Sequence, residues 1–229
     1  MDVKNIYFTV PHEESKITFR YPSFTGFWQD VAEKISNIGL EIPSSSETAS
    51  IIFNAFQNKR GEYESKIIKI LDTRWYWEFT GNLYLPKSNS KINNGVILDL
   101  KQRPNKNRQF RMNKDSLIKK LYNDDPLVKF VPFGFKTGKQ TTGELEKNPY
   151  VIARYGEEGA HKIAEIASEY RNDPELHITD SFNGEVAKKA TLYNDYKSML
   201  AVGDCVGGDG GDSFAIEPNK EFLLNQSKQ

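Results

Sequence analysis

Hydrophobic residues recur at two different spacings in the N-terminal part of the chain. Residues 3–10 and 16–21 are rich in β-branched and aromatic side chains and flank a turn-forming segment, which predicts a β-hairpin. Apolar residues at three- and four-residue steps then predict three amphipathic helices, the first of which should end at Gly39. The second helix should begin at Ser44, because Glu47 three residues later completes a capping-box pattern.

An aromatic run from residue 75 to residue 85 follows the third helix. Trp75, Trp77 and Phe79 occupy alternate positions in this run, which predicts a strand with one strongly apolar face. A polar, turn-rich segment separates the run from a second apolar stretch at residues 96–100. The two stretches together predict an aromatic β-hairpin.

The middle of the chain is less regular. Residues 105–113 contain few apolar side chains and predict a loop, and residues 117–121 predict a short helix. Residues 127–135 have the composition of a strand. Because Pro132 cannot donate a backbone hydrogen bond, this strand is expected at an edge or a bend of the sheet.

The C-terminal half predicts a strand–helix–strand unit. Residues 150–155 have the composition of a buried strand, and Gly156 would turn the chain into a helix with one apolar face. A strand at residues 176–179 would complete a βαβ-like unit with a right-handed crossover, if the two strands are parallel. Further strands are expected at residues 199–202 and 213–216.

These elements predict an α+β fold with a mixed sheet and helices, including an aromatic β-hairpin and one C-terminal βαβ-like unit. We expect a single α+β domain over residues 1–229, with any subdivision falling near residues 102–113. A chain of 229 residues can bury roughly 70–75% of the surface of its unfolded state, so this fold needs neither disulfides nor a structural metal.

The one cysteine, Cys205, excludes an intrachain disulfide and is typical of a reducing compartment. Residues 1–10 lack the basic and apolar regions of a secretory signal, and no apolar run approaches the length of a membrane span. We therefore expect a cytoplasmic protein that is soluble and has no membrane partner.

Charge is balanced over the whole chain but is unevenly distributed. The chain has 31 basic and 31 acidic residues. Residues 101–120, the basic segment, contain eight basic residues and one acidic residue, which gives a net charge of +7. The remaining 23 basic and 30 acidic residues leave the rest of the chain at −7.

Several cations beside an aromatic strand are typical of proteins that bind single-stranded nucleic acid. The alternative is a solvated loop that balances the acidic remainder. The leading functional hypothesis is a non-enzymatic binding or interaction protein, whose partner is a nucleic acid, another polyanion or a protein. Five residues are expected to contact the anionic ligand: Arg103, Lys106, Arg108, Arg111 and Lys114.

A second hypothesis comes from the triplet Asp99-Leu100-Lys101, which follows Asp72 and Glu78 along the chain. It resembles the metal-dependent nucleases of the PD-(D/E)XK type, although the Pro-Asp pair of that family is missing. The resemblance implies that Asp99 ligates a divalent ion, that Glu78 or Asp72 is the second ligand, and that Lys101 orients the attacking water. The runner-up function is therefore a metal-dependent phosphodiester hydrolase, and the structural alternative is a salt bridge on an edge strand.

A glycine-rich segment at residues 203–212 contains three carboxylates, Asp204, Asp209 and Asp212. Carboxylate oxygens are suitable ligands for a hard cation such as Ca²⁺. The spacing departs from the EF-hand pattern, and glycines at this density equally serve backbone positions of positive φ in a long hairpin loop. Apart from a divalent cation, Mg²⁺ or Ca²⁺, no cofactor is predicted.

Overall fold

Ten strands form one mixed sheet in the part of the chain that the computed structural model describes, which is residues 5–179, 182–195, 198–206 and 210–218. In chain order the elements are β1 Ile6–His12, β2 Ser15–Gly26, α1 Trp28–Asn37, α2 Ser45–Gln57, α3 Glu62–Thr73, β3 Trp75–Leu85, β4 Gly95–Asp99, α4 Lys114–Tyr122, β5 Val128–Pro132, β6 Gly138–Lys139, α5 Thr142–Glu146, α6 Pro149–Ser168, β7 Glu175–His177, β8 Val186–Asp195, β9 Met199–Cys205 and β10 Gly211–Ile216.

The main path of the sheet has the strand order β1-β2-β10-β3-β8-β9-β7-β6, and β4 and β5 extend from β3 as a side branch. The β10/β3 and β7/β9 pairs are parallel, whereas the other pairs are antiparallel. The strands in the middle of the chain therefore pair with strands from its C-terminal end. This arrangement confirms the predicted α+β class with a mixed sheet.

Helices cover both faces of the sheet. One face carries α2, α3 and α6, whose apolar side chains share a core with sheet residues such as Tyr76, Leu192 and Val202. On the other face, α1 packs Trp28 against Trp77. The helix α4 covers the β3–β4 hairpin from that second face through Leu117. The aromatic run of β3 thus lies in the interior with helices on both sides.

The N-terminal elements agree with the sequence pattern. The β1–β2 hairpin and the helices α1, α2 and α3 are present where the spacing predicts them. At the start of α2, the Ser44 hydroxyl accepts the Glu47 N–H, and the Glu47 carboxylate accepts the Ser44 N–H at 2.6 Å. Both halves of the capping box are therefore formed. Since the two bonds satisfy local donors, they fix where α2 begins.

The aromatic hairpin is also confirmed. Strand β3 pairs antiparallel with β4, with Leu83 opposite Ile97. Strand β5 pairs with β4 alone among the described strands, so it is an edge strand as Pro132 requires. The strands predicted near the C-terminus are present as β9 and β10.

The predicted strand at residues 150–155 is wrong, because these residues form the first part of α6. Asn148 caps the helix through its side chain, and Pro149 occupies the first turn, where its missing N–H has no cost. The βαβ-like unit therefore lacks its first strand, and β7 instead pairs parallel with β9. The elements β6, α5 and β8 were not predicted from the sequence pattern.

The helix α6 consists of two helical parts that meet at Gly156. This glycine has φ 72° and ψ 171°, a backbone conformation that is essentially restricted to glycine. A Cβ atom placed there would have no atom within 4 Å, so the restriction comes from the backbone and not from crowding. Among the described residues, no helix combines the length and apolar character that a bilayer span requires.

We expect Gly156→Ala to lower the free energy of unfolding by about 1–3 kcal/mol, the usual cost of such a backbone conformation in a non-glycine residue. Urea denaturation monitored by circular dichroism measures the change. The control is Gly143→Ala in α5, where a Cβ also meets no neighbour and no positive φ occurs. Equal stability losses in the two variants would contradict the backbone explanation.

Candidate functional site

The basic segment begins with a loop, residues 100–113, that connects β4 to α4 and that we call the basic loop. Its two ends are held together by the buried side chain of Gln102. The amide Nε2 of Gln102 donates to the carbonyl oxygens of Arg103 at 2.8 Å and Arg111 at 3.1 Å. The Gln102 backbone N–H in turn donates to the Phe79 carbonyl at 2.8 Å. The Gln102 side chain therefore closes the base of the loop, and the Gln102 backbone N–H fixes that base to β3.

The tip of the basic loop is an ordered turn. The Asn105 carboxamide oxygen accepts the backbone N–H groups of Asn107 and Gln109, both at 2.9 Å. The Asn105 N–H donates to the Gln109 carbonyl, also at 2.9 Å. Arg108 adopts a positive φ of 59° within this turn. Asparagine is well suited to such a turn because its short side chain can bond to nearby backbone amides.

Two apolar residues attach the basic loop to α1 and to the sheet. The Phe110 ring lies 5.3 Å from the Trp28 ring in an edge-to-face arrangement. Met112 packs over Gly81, where a Cβ atom would come within 2.9 Å of the methionine sulfur. The absence of a side chain at Gly81 therefore allows the loop to lie directly on β3. Sequence reasoning identified the loop but gave no sign of these attachments.

The cations of the basic segment fall into two groups. Four are paired with carboxylates: Lys101 with Glu47, Arg108 with Asp30 and Glu33, Lys114 with Glu185, and Lys120 with Asp125. The other four are exposed and make no ion pair with a described acidic residue: Arg103, Lys106, Arg111 and Lys119. Of the five predicted ligand contacts, Arg108 and Lys114 thus pair with carboxylates of the protein, and Arg103, Lys106 and Arg111 do not.

The four residues of the hydrolase hypothesis do not converge on one site. Glu78 is fully buried and contacts Arg154 and Tyr155. Lys101 pairs with Glu47 at 3.1 Å, and the half-buried Asp99 accepts the Lys101 backbone N–H at 3.4 Å. Asp72, the other proposed second ligand, accepts hydrogen bonds from Asn194 and Tyr170. The structure therefore gives no support for a shared metal site, and the hydrolase activity stays a prediction.

Burial affects the ionisation of the carboxyl groups in this hypothesis. It raises the pKa of Asp99, an effect that the charge of Lys120 opposes. Burial also raises the pKa of Glu78, against the opposing influence of Arg154. For Arg154, burial works to lower the pKa, but the combined influence of Glu78, Tyr155 and Tyr150 outweighs it and the pKa is raised. Arg154 thus remains cationic inside the protein.

Arg154 is the centre of a buried polar network that sequence reasoning missed. Besides Glu78, its guanidinium donates to the Thr191 and Gly203 carbonyls, each at 3.0 Å, and its Nε donates to the Ser45 hydroxyl at 3.3 Å. The Tyr155 hydroxyl donates to the same Glu78 oxygen at 3.0 Å. These bonds connect α6 to α2, β3, β8 and β9. The Glu78–Arg154 pair therefore joins α6 to the sheet, and the catalytic role of Glu78 stays a prediction.

The carboxylates of the glycine-rich segment lie in two different polar clusters. The Asp204 side chain is fully buried and accepts from Tyr84, Asn82 and Lys188, the last at 3.1 Å. Asp212, predicted in the same site, lies on β10, and Asp209 lies outside the described residues.

Asp212 has its own set of donors. It accepts from the Ser23 hydroxyl at 2.9 Å and the Thr25 hydroxyl at 2.6 Å, and it pairs with Arg74. Within the described part of the chain, no group of three or more His, Cys, Asp and Glu side chains is arranged to hold a metal. The two described carboxylates thus act as acceptors for protein donors, and the metal site stays a prediction.

Neither a protein-family model nor a curated protein matches this chain. A solved structure described as "Accommodation of massive sequence variation in Nanoarchaeota by the C-type lectin fold" is similar over 86% of this chain and 98% of its own, with a TM-score of 0.60. The similarity is one of fold, the C-type lectin fold. At 13% sequence identity, the shared C-type lectin fold carries no statement about ligands.

We expect Glu78→Leu to lower the free energy of unfolding by about 3–5 kcal/mol, because it leaves the Arg154 charge buried without its partner. The double variant Glu78→Leu/Arg154→Met removes both charges and should lose less than the sum of the two single variants. Urea denaturation of the four proteins gives the coupling free energy. Strictly additive losses would show that the pair is not coupled.

Proposed function

We propose that this protein is a non-enzymatic binding module that contacts a polyanion through Arg103, Lys106 and Arg111 of the basic loop. The observation that carries the proposal is the charge distribution on an ordered loop. These three side chains are exposed and make no ion pair with a described carboxylate. The loop that bears them is nevertheless ordered, because hydrogen bonds hold its base and its tip and Phe110 packs against Trp28. An ordered loop loses little conformational entropy when it binds.

The ion pair of Arg108 supports the same proposal from another direction. Its guanidinium lies between Asp30 and Glu33 of α1, at 3.0 and 2.6 Å. The two acidic residues are thus engaged by one arginine at the tip of the loop. Arg103, Lys106 and Arg111 have no such carboxylate partner among the described residues, so they are available to an external anion. Arg108 accordingly serves to position the loop.

The geometry favours contacts to phosphate or sulfate groups over stacking of bases. Trp77 and Phe79 of the aromatic strand are fully buried, and Phe110 packs against Trp28. Base stacking requires an exposed aromatic face, which these rings do not offer. We therefore propose a charge-dependent mode that does not depend on base identity, in which single-stranded nucleic acid is one suitable polyanion.

The proposal predicts weak binding to fluorescein-labelled oligo(dT) that depends strongly on salt. Three neutralised phosphates correspond to a slope of about −2 in a plot of log Kobs against log salt concentration for a single strand. Fluorescence anisotropy at several salt concentrations measures both the affinity and the slope. The triple variant Arg103→Glu/Lys106→Glu/Arg111→Glu should remove binding and should elute earlier from a heparin column.

The matched control is Lys16→Glu/Lys87→Glu/Lys91→Glu, which changes the net charge by the same amount. These three lysines are exposed and lie outside the basic segment. If both triple variants lose binding equally, the change in total charge explains the loss, and the basic loop has no specific role in binding. Binding that survives reversal of the loop charges would overturn the proposal.

A further inference from the structure

A cleft of about 520 Å³ opens where the β1–β2 turn, the start of α2, the β4–β5 edge and the first part of α6 meet. Its size is within the range of pockets that hold small molecules. Its walls include Leu100, Leu127 and Ile152, which come from three different parts of the chain. Leu127 is 41% exposed, so this part of the wall is accessible from solvent.

Gly156 keeps one side of the cleft open. It lines the cleft at the junction of the two parts of α6, and no atom lies within 4 Å of the position that a Cβ would occupy. Because the backbone conformation at this position requires glycine, the open space is built into the fold. The cleft is thus a consequence of how α6 is constructed.

Charges at the rim are distributed unevenly. Glu47 is paired with Lys101 at 3.1 Å, so these two largely neutralise each other. Lys129 on β5 is exposed and has no ion pair with a described carboxylate. Glu13, at the turn of the β1–β2 hairpin, is the exposed acidic residue of the lining. The lining therefore includes one exposed cation, Lys129, and one exposed carboxylate, Glu13.

We propose that this cleft binds a small amphiphilic anion, with its apolar body against Leu100, Leu127 and Ile152 and its carboxylate or sulfonate group at Lys129. The combination of apolar walls and one unpaired cation at the rim is complementary to this class of ligand. The inference does not rest on the proposed function of the basic loop, because Arg103, Lys106 and Arg111 do not line the cleft and the predicted ligand is not a polymer.

The probe for the test is 8-anilinonaphthalene-1-sulfonate, which combines an apolar ring system with one sulfonate. The proposal predicts saturable binding to the folded protein with a stoichiometry of one, measured by fluorescence titration and isothermal calorimetry. Ile152→Trp fills the cleft and should weaken binding at least about tenfold. The control, Ile68→Trp, makes the same change at a partly buried position of α3 and should leave the affinity unchanged.

The charges give a second and independent readout. Lys129→Glu should weaken binding several-fold, and Glu13→Gln should strengthen it. The control Lys139→Glu changes an exposed lysine on the edge strand β6 and should have no effect. If Ile152→Trp does not fold, Leu127→Glu tests the apolar wall at an exposed position. Unsaturable binding, or equal affinities in the cleft variants and their controls, would overturn the proposal.

Discussion

One buried ion pair connects most of the layers of this protein. Arg154 approaches the sheet from α6 and bonds to Glu78 on β3 and to main-chain carbonyls on β8 and β9. A charged guanidinium in the interior is tolerated only where several acceptors surround it. The positions of α6 and of three neighbouring strands are therefore interdependent. The shape of the cleft beside α6 depends on this arrangement.

The elements that sequence reasoning predicted correctly are those with local causes. The capping box of Ser44 and Glu47 fixes the start of α2 through contacts three residues apart, and the alternating aromatic residues of β3 mark a strand, although both of its faces are buried. Residues 150–155 were assigned wrongly because a short apolar run has no period that separates a strand from a helix. The strand β8 was missed because Lys188 and Lys189 interrupt its apolar pattern, although both lie within the sheet.

The candidate site was predicted only in part, because a charge count cannot show which charges already have partners. The excess of cations in the basic segment was correct, but Lys120 pairs with the nearby Asp125, and Lys101, Arg108 and Lys114 find carboxylates that are distant in sequence. Arg108 meets α1 from nearly eighty positions away. Such partners depend on the tertiary fold and leave no local trace in the sequence. The buried role of Glu78 was hidden for the same reason.

The two hydrogen bonds donated by the Gln102 side chain affect how the sequence of the basic loop can evolve. Its amide holds the two ends of the loop by their main-chain carbonyls, and every amino acid carries such a group. The shape of the loop base thus does not depend on which side chains stand at positions 103 and 111. The side chains that face solvent can therefore change while the backbone at the base of the loop keeps its shape.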